Sequence, residues 1–206
     1  MLFAPNPKEG RCFDKLSTNG GTEKARGFAV MILGAVLAGG LSTRFGSDKA
    51  LAEVAGHTLI AQAVDVLAAL CDHVIVVGRK TAPAPTLPDW PAAGMGPLGG
   101  IAAALRHAQD AGYDHVLTCG VDSLGLPEDL AVLLAPAPAY LTDQPVIGLW
   151  PASAAATVSA ILESDARHSM LAFAQAIGAR PVKSPHKPAN INTPADLAAA
   201  ETRHRL

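Results

Sequence analysis

Residues 31–50 read MILGAVLAGGLSTRFGSDKA, an apolar run followed by a loop of glycine, hydroxyl and cationic side chains. The apolar run is typical of a strand buried on both faces of a parallel sheet. In the loop, Gly39 and Gly40 let the backbone approach a ligand, and their N–H groups can form an anion-binding concavity. Arg44 offers a planar fork to phosphate oxygens, and Lys49 a compact charge. The stretch predicts a triphosphate-binding turn, although it is neither a Walker loop nor a dinucleotide fingerprint; the alternative is a solvated surface loop.

Short apolar strands alternate with helical segments along the rest of the chain. The predicted strands are residues 31–38, 73–77, 115–119 and 144–150, and the predicted helices are residues 57–70, 98–111, 127–134, 152–162 and 170–177. Strands separated by helices imply βαβ units with right-handed crossovers. The predicted fold class is α/β: a single-domain three-layer α/β/α sandwich around a mostly parallel, Rossmann-like sheet. Ligands of such a sheet bind beyond the carboxyl ends of its strands.

Composition narrows the class of protein. A chain of 206 residues suits one domain, and a net charge of −2 argues against sequence-independent binding to nucleic acid. Half of the residues are hydrophobic but only 4% are aromatic, so aliphatic side chains must fill the core. The three cysteines are widely separated and form no CxxC pair, which supports neither a disulfide framework nor a zinc site. We expect a protein of the reducing cytoplasm.

The chain is expected to divide into an extension and one folded domain. Residues 1–29 are polar and lack periodicity, so we expect a disordered or loosely attached extension, with the domain at 30–206. Met31 is a candidate native start. The uncharged run at 27–43 resembles a signal peptide, but it leads directly into the glycine-rich loop, so we expect no export. The uncharged run at 144–162 carries two prolines and is a poor spanning helix; no membrane association is expected.

Four segments in one order carry a resemblance to a family. The loop LAGGLSTRFGSDKA resembles the signature of the molybdenum cofactor guanylyltransferases, LAGGxSxRMGxDKA, with Phe45 where the family usually has Met. GPLGG at 96–100 resembles the family's GPLxG block. Asp122, followed by Leu126 and Pro127, resembles its CDTPxxP motif, although Val, Ser and Leu replace Cys, Thr and Pro around the Asp. NINTP at 190–194 resembles its NxNTPxxL. The resemblance covers about residues 31 to 200.

The resemblance implies a nucleotidyltransferase fold and a defined reaction. Members transfer GMP from GTP to the phosphate of molybdenum-molybdopterin, which gives the guanine dinucleotide cofactor and pyrophosphate. The implied cofactor is Mg²⁺, and the implied ligands are GTP and the molybdopterin cofactor. We also expect transient contact with a molybdenum-insertion protein or an apo-molybdoenzyme chaperone, and a monomeric protein.

The resemblance also implies roles for individual residues. Arg44 would stabilise the departing pyrophosphate, Lys49 the transferred phosphoryl centre, and Asp122 would hold Mg²⁺. The residues expected to bind the nucleotide are Leu37, Ala38, Gly39, Gly40, Lys49, Asp89, Gly96, Pro97, Leu98 and Asp122. Without the resemblance, Asp122 is either a metal ligand at a strand end or a loop aspartate that caps a turn, and Asp89 is either a contact to the base or ribose or a solvated turn residue.

A pterin-binding region is expected near the end of the chain. Asn190 and Asn192 alternate, so on a strand both amides would lie on one face and offer donors and acceptors to a pterin. The alternative is that they only satisfy backbone groups before a helix, although Thr193 and Asp196 already resemble its capping box. In the family, Asn192 would join Asp122 at the metal. Arg167 precedes a predicted helix and would contact the pterin phosphate, or lie in a solvated loop.

Three other functions stay open at this point. A cytidylyltransferase of the same cofactor usually reads LAAG where this chain has residues 37–40, and Gly40 was expected to leave room for the larger purine. A sugar-1-phosphate nucleotidyltransferase would resemble the loop alone. A non-catalytic cofactor carrier would need no metal–triphosphate site, so retention of Arg44, Lys49 and Asp122 argues against it.

Overall fold

A seven-stranded sheet forms the centre of the protein. The computed structural model describes residues 30–40, 45, 48–165 and 168–204, so the predicted extension at 1–29 lies outside the described residues. The strands, in chain order, are β1 (Ile32–Leu37), β2 (Glu53–Val54), β3 (His57–Thr58), β4 (His73–Val77), β5 (Thr86–Leu87), β6 (His115–Gly120), β7 (Ser123–Leu124), β8 (Ala139–Leu141), β9 (Gln144–Pro151), β10 (Arg180–Val182) and β11 (Ala189–Asn190). The central sheet has the order β10-β8-β9-β6-β1-β4-β5.

Helices cover both faces of this sheet. They are α1 (Leu59–Leu70), α2 (Gly96–Ala111), α3 (Leu130–Leu134), α4 (Ala155–Glu163), α5 (Met170–Ala176) and α6 (Pro194–His204). Alternate side chains of β1 enter different cores: Leu33 and Ala35 pack with α2, α4 and α5, whereas Val36 packs with α1 and α3. This alternation follows from the two-residue repeat of a strand. The predicted three-layer α/β/α sandwich is therefore confirmed.

The sheet is mixed: β6, β1, β4 and β5 form one parallel group, and β8 and β10 form another. β1 pairs in parallel with β4 and β6, while β9 runs antiparallel to both β6 and β8. The predicted strands and helices are all present, with ends shifted by a few residues. β2, β3, β5, β7, β8 and β10 were not predicted. Each has two or three residues, too few to show a period.

Local chemistry sets where α1 begins and where α2 ends. Thr58 caps α1, its Oγ1 accepting from the N–H of Ala61 at 3.3 Å. Gly112 ends α2 with a left-handed φ of 81°, which glycine adopts at little cost.

Two cysteines of the fold are shielded from solvent. Cys119 on β6 is fully buried, and Cys71 is half-buried with its pKa raised by burial to about 12. Both therefore behave as small apolar side chains rather than reactive thiols.

Gly148→Ala should destabilise the sandwich measurably. Gly148 and Trp150 lie on one face of β9, and a Cβ at position 148 would overlap the buried indole ring. That ring is held by Phe173 and by a hydrogen bond from its Nε1 to Thr118 Oγ1 at 2.8 Å, so it cannot simply move away. We expect a loss of about 1–3 kcal/mol in the free energy of unfolding. Urea titration followed by tryptophan fluorescence measures it, and an unchanged midpoint would contradict the packing.

Candidate functional site

A cleft opens across the carboxyl ends of three adjacent parallel strands, β6, β1 and β4. Its walls include Gly120 at the end of β6, Val121 directly after it, Val77 at the end of β4, and the first turn of α2. The predicted nucleotide-binding residues that line it are Leu37, Ala38, Gly39, Gly40, Lys49, Asp89, Gly96, Pro97 and Asp122. The structure thus brings together residues from four distant segments at the edge where ligands of such sheets bind.

Three predicted site residues are placed elsewhere or not described. Leu98 is buried in the hydrophobic core beneath α2, so its side chain does not face the cleft. This corrects the prediction for its side chain, since the GPLGG block turns into a helix and only Gly96, Pro97 and Gly100 reach the opening. Arg44 and Arg167 lie outside the described residues, and their roles stay predictions.

Lys49 is the centre of the cationic part of the cleft. Its Nζ donates to Asp122 Oδ2 at 2.8 Å and to Asn192 Oδ1 at 3.3 Å. The Lys49 side chain is only 14% exposed, so the ion pair is partly shielded from solvent. A carboxylate and an amide oxygen from distant parts of the chain therefore converge on one cation.

The Asp48 side chain fixes the backbone from which Lys49 projects. Asp48 Oδ1 accepts from the N–H of Ala50, which caps a single 3₁₀ turn over Lys49–Leu51. Arg79 donates to both carboxylate oxygens of Asp48, at 2.8 and 2.6 Å. The pKa of Asp48 is held below its ordinary value chiefly by this hydrogen bond from Arg79. The turn is thereby anchored to the segment that follows β4.

Asn192 is positioned by the start of α6. Asp196 Oδ2 accepts from the N–H groups of Asn192 and Thr193, and the N–H of Asp196 donates back to Thr193 Oγ1. These contacts confirm the predicted capping box. The pKa of Asp196 lies below its ordinary value because Thr193 and the two backbone N–H groups donate to it, with a smaller contribution from the charge of Lys49. Asn190 lies on β11 with an exposed side chain.

The side of the cleft that contains Gly39 and Asp89 is built on close backbone approaches. A Cβ on Gly39 would lie 3.0 Å from Asp89 Oδ2, and one on Gly100 would lie 2.9 Å from Leu37. Asp89 is half-buried, and burial raises the pKa of its carboxyl despite a hydrogen bond from the N–H of Gly94. α2 starts here without a side-chain cap, so its first-turn N–H groups and its dipole favour an anion or a polar ligand edge.

Gly39, rather than Gly40, is the crowded glycine of the loop. A Cβ on Gly40 would meet no described heavy atom within 4 Å. When LAAG is aligned with residues 37–40, its second alanine also falls on Gly39. Of the two glycines, Gly39 is therefore the one where an added side chain would press on a neighbour, Asp89.

Sequence reasoning missed Arg79 as part of the site. Arg79 directly follows Gly78, which closes β4 with a φ of 87°. A cation at the carboxyl end of a strand beside the glycine loop was a usable signal, because neighbouring parallel strands end at the same edge.

Among the described residues, no three His, Cys, Asp or Glu side chains cluster as a metal site. None of the helices in the described part of the chain combines the length and apolar character needed to cross a bilayer.

Comparison with known proteins agrees with this architecture. The family model described as "MobA-like NTP transferase domain" matches residues 34–189. A molybdenum cofactor guanylyltransferase of Rhodobacter capsulatus is 35% identical over 185 residues, which cover 84% of this chain and 97% of that relative.

Two crystal structures share the fold. Molybdopterin-guanine dinucleotide biosynthesis protein A of Archaeoglobus fulgidus superposes with a TM-score of 0.68 at 24% identity, over 84% of this chain and 98% of that one. A Mycobacterium tuberculosis protein crystallised as a manganese complex superposes with a TM-score of 0.56 at 14% identity, over 84% of this chain and 99% of that one. With the family model spanning most of the folded part and a relative matched over nearly its whole length, the chain belongs to the molybdenum cofactor guanylyltransferase family of nucleotidyltransferases.

Proposed function

We propose that this protein transfers GMP from GTP to the terminal phosphate of molybdenum-carrying molybdopterin and releases pyrophosphate. The observation that supports it most directly is the Lys49 ammonium between Asp122 and Asn192, at the end of a glycine-lined cleft. A cation, a carboxylate and a row of backbone N–H groups are what a metal-bound triphosphate requires. The relatives that match over their whole length carry this activity in their names.

The chemistry needs little covalent help from the protein. An oxygen of the pterin phosphate attacks the α-phosphorus of GTP, and the bond from that phosphorus to the β-phosphate oxygen breaks in line, so pyrophosphate leaves with the electron pair. No general base is required, because the attacking phosphate is already ionised at neutral pH. Positioning and charge neutralisation dominate. Lys49 would stabilise the transferred phosphoryl centre, and the loop at Gly39 and Gly40 would hold the triphosphate. Arg44 is proposed to stabilise the pyrophosphate.

The residues present fit a magnesium ion. Mg²⁺ prefers oxygen ligands and commonly takes one or two from protein side chains, with substrate phosphates and water completing the shell. Asp122 Oδ2 and Asn192 Oδ1 supply such oxygens and already converge on one cation, Lys49 Nζ. Asp122 and Asn192 would hold the ion, which when bound neutralises charge on the phosphate oxygens. The manganese complex of a protein with the same fold supports a divalent ion here.

Product identification tests the proposed function. The protein is incubated with a molybdopterin-loaded donor, Mg²⁺ and each of the four nucleoside triphosphates, and the product is identified by mass. We expect the guanine dinucleotide and equimolar pyrophosphate with GTP only. A cytosine product would support the cytidylyltransferase instead, and cofactor binding with no pyrophosphate would support a carrier.

Gly39→Ala should weaken discrimination for GTP. The new methyl group would press on Asp89 Oδ2 at 3.0 Å, and Asp89 is the proposed contact to the base or ribose. A methyl group in a binding site changes kcat/KM by about 10- to 200-fold, and we expect the lower end because a carboxylate can rotate. The ratio of kcat/KM for GTP and CTP measures it. The double variant with Asp89→Asn should show little further loss, and full additivity would contradict transmission through Asp89.

Several further predictions from the sequence are kept as proposals. We keep Asn190 and Arg167 as proposed contacts to the pterin, and residues 1–29 as a proposed extension of the domain at 30–206. Cytoplasmic location, a monomeric state and transient contact with a molybdenum-insertion protein or an apo-molybdoenzyme chaperone also stay predictions. Light scattering and co-purification address the last two.

A further inference from the structure

We propose that Gln144 is a positioning residue for the metal–triphosphate site. Its buried side-chain amide joins the segment that carries Asp122 to the segment that carries Asn192. The inference rests on the proposed function, in which those two residues hold the metal-bound triphosphate, and it assigns a role to a residue outside the cleft.

The two segments are held to each other by very little backbone structure. β7 and β11 form a two-stranded antiparallel sheet in which Ser123 pairs with Asn190. One further hydrogen bond runs from the N–H of Ile191 to the carbonyl of Asp122 at 3.0 Å. A ladder this short is marginal on its own in water. Something else must fix Asp122 and Asn192 at the distance where both meet Lys49.

Gln144 supplies a second, buried link between the same segments. Ser123 Oγ donates to Gln144 Oε1 at 3.1 Å, and Gln144 Nε2 donates to the carbonyl of Pro188 at 2.7 Å. Ser123 is 6% and Gln144 is 7% exposed. A buried amide is costly unless its donor and acceptor are both used, and a satisfied network specifies one arrangement. The planar amide therefore sets the spacing between residues 123 and 188.

Gln144 is itself fixed to the main body of the fold. It is the first residue of β9 and lies in register with Leu141 of β8, within the seven-stranded sheet. Gln144 thus ties the small β7–β11 sheet to the central sheet. Removing the amide leaves the two segments with the short ladder, the Ile191 hydrogen bond and the apolar packing around Ile191, so the oxygens of Asp122 and Asn192 should be held less tightly at one point.

Gln144→Leu should weaken metal binding with nucleotide by about 10- to 100-fold, the usual effect of losing a residue that orients metal ligands. The probe is Mn²⁺, measured by electron paramagnetic resonance with a GTP analogue that has a methylene between its α- and β-phosphorus atoms. Thr118→Val is the matched control. It also removes a buried hydroxyl, whose three partners are Val146, Gly148 and Trp150, but it touches neither β7 nor β11. It should lower stability and leave the Mn²⁺ affinity unchanged.

A second pair of variants isolates the Ser123 hydroxyl. Ser123→Thr and Ser123→Val place side chains of the same shape at one buried position, and only threonine can donate to Gln144 Oε1. Ser123→Val should bind Mn²⁺ more weakly than Ser123→Thr, by a factor similar to that expected for Gln144→Leu. Equal Mn²⁺ affinity in the two would overturn the proposal.

Hydrogen exchange gives a readout that does not depend on activity or on metal. In the ligand-free protein, the Ile191 N–H should lose protection in Gln144→Leu but keep it in Thr118→Val, while amides of β1 stay protected in both. If Ile191 protection is unchanged in Gln144→Leu, or falls equally in Thr118→Val, the positioning role is wrong. If protection falls as expected but wild-type protein makes no guanine dinucleotide, the proposed function fails and the positioning of the two segments stands.

Discussion

Asp122→Asn is expected to lower the rate of GMP transfer by about 10²- to 10³-fold, the typical effect of removing one charge contact that stabilises a transition state. The substitution keeps the shape of the side chain and removes its charge. Lys49 Nζ then loses the negative charge that lies 2.8 Å away, and the proposed metal loses its carboxylate. Single-turnover transfer at saturating GTP, repeated over a range of Mg²⁺ concentrations, measures both effects. We expect the Mg²⁺ concentration for half-maximal rate to rise as well.

Asp129→Asn provides the control for Asp122. Asp129 is exposed, lies just before α3 and makes no side-chain cap, so the variant changes the net charge equally without touching the cleft. Its rate should equal that of wild type. Normal transfer by Asp122→Asn with an unchanged thermal midpoint would remove Asp122 from the proposed machinery.

Lys49→Met is expected to have an effect of similar size, about 10²- to 10³-fold on kcat, because its charge is proposed to act on the phosphoryl group during transfer. Lys49→Arg should not restore the rate. The guanidinium is planar and larger, and it cannot take the place of a compact ammonium between two oxygens 2.8 and 3.3 Å away. Lys183→Met, an exposed lysine beyond β10, is the control. A loss confined to KM for GTP would mean that Lys49 only binds the nucleotide.

Most of the fold could be predicted from the sequence because its main strands and helices have long, regular apolar patterns. The runs at 73–77 and 115–119 were predicted within a residue of β4 and β6, and the helix predicted at 98–111 ends at the same residue as α2. The missed strands β8 and β10 hold three residues each and become strands only by pairing with neighbours already in place. Such pairing is a tertiary effect that a local window of sequence does not contain.

The site could be predicted from the sequence where its polar residues lie in short motifs. Lys49, Asp122 and Asn192 were each predicted from such motifs, and the structure brings their polar atoms together. Leu98 was assigned to the cleft because a motif names residues without saying which side of a helix they occupy. Arg79 and Gln144 belong to no motif, and their partners Asp48, Ser123 and Pro188 are 21 to 44 residues away in the chain, so only the folded structure reveals them.

The contact between Lys49 and Asn192 joins positions 143 residues apart. A chain growing on the ribosome presents its glycine loop directly after β1, whereas Asn192 and the capping helix α6 follow all the other strands and helices described. Domains fold as units while translation proceeds from the N-terminus. The polar cluster of this protein therefore closes only after the other strands of the fold have left the exit tunnel, and no nascent fragment that ends before Asn192 can bring the polar atoms of Lys49, Asp122 and Asn192 together.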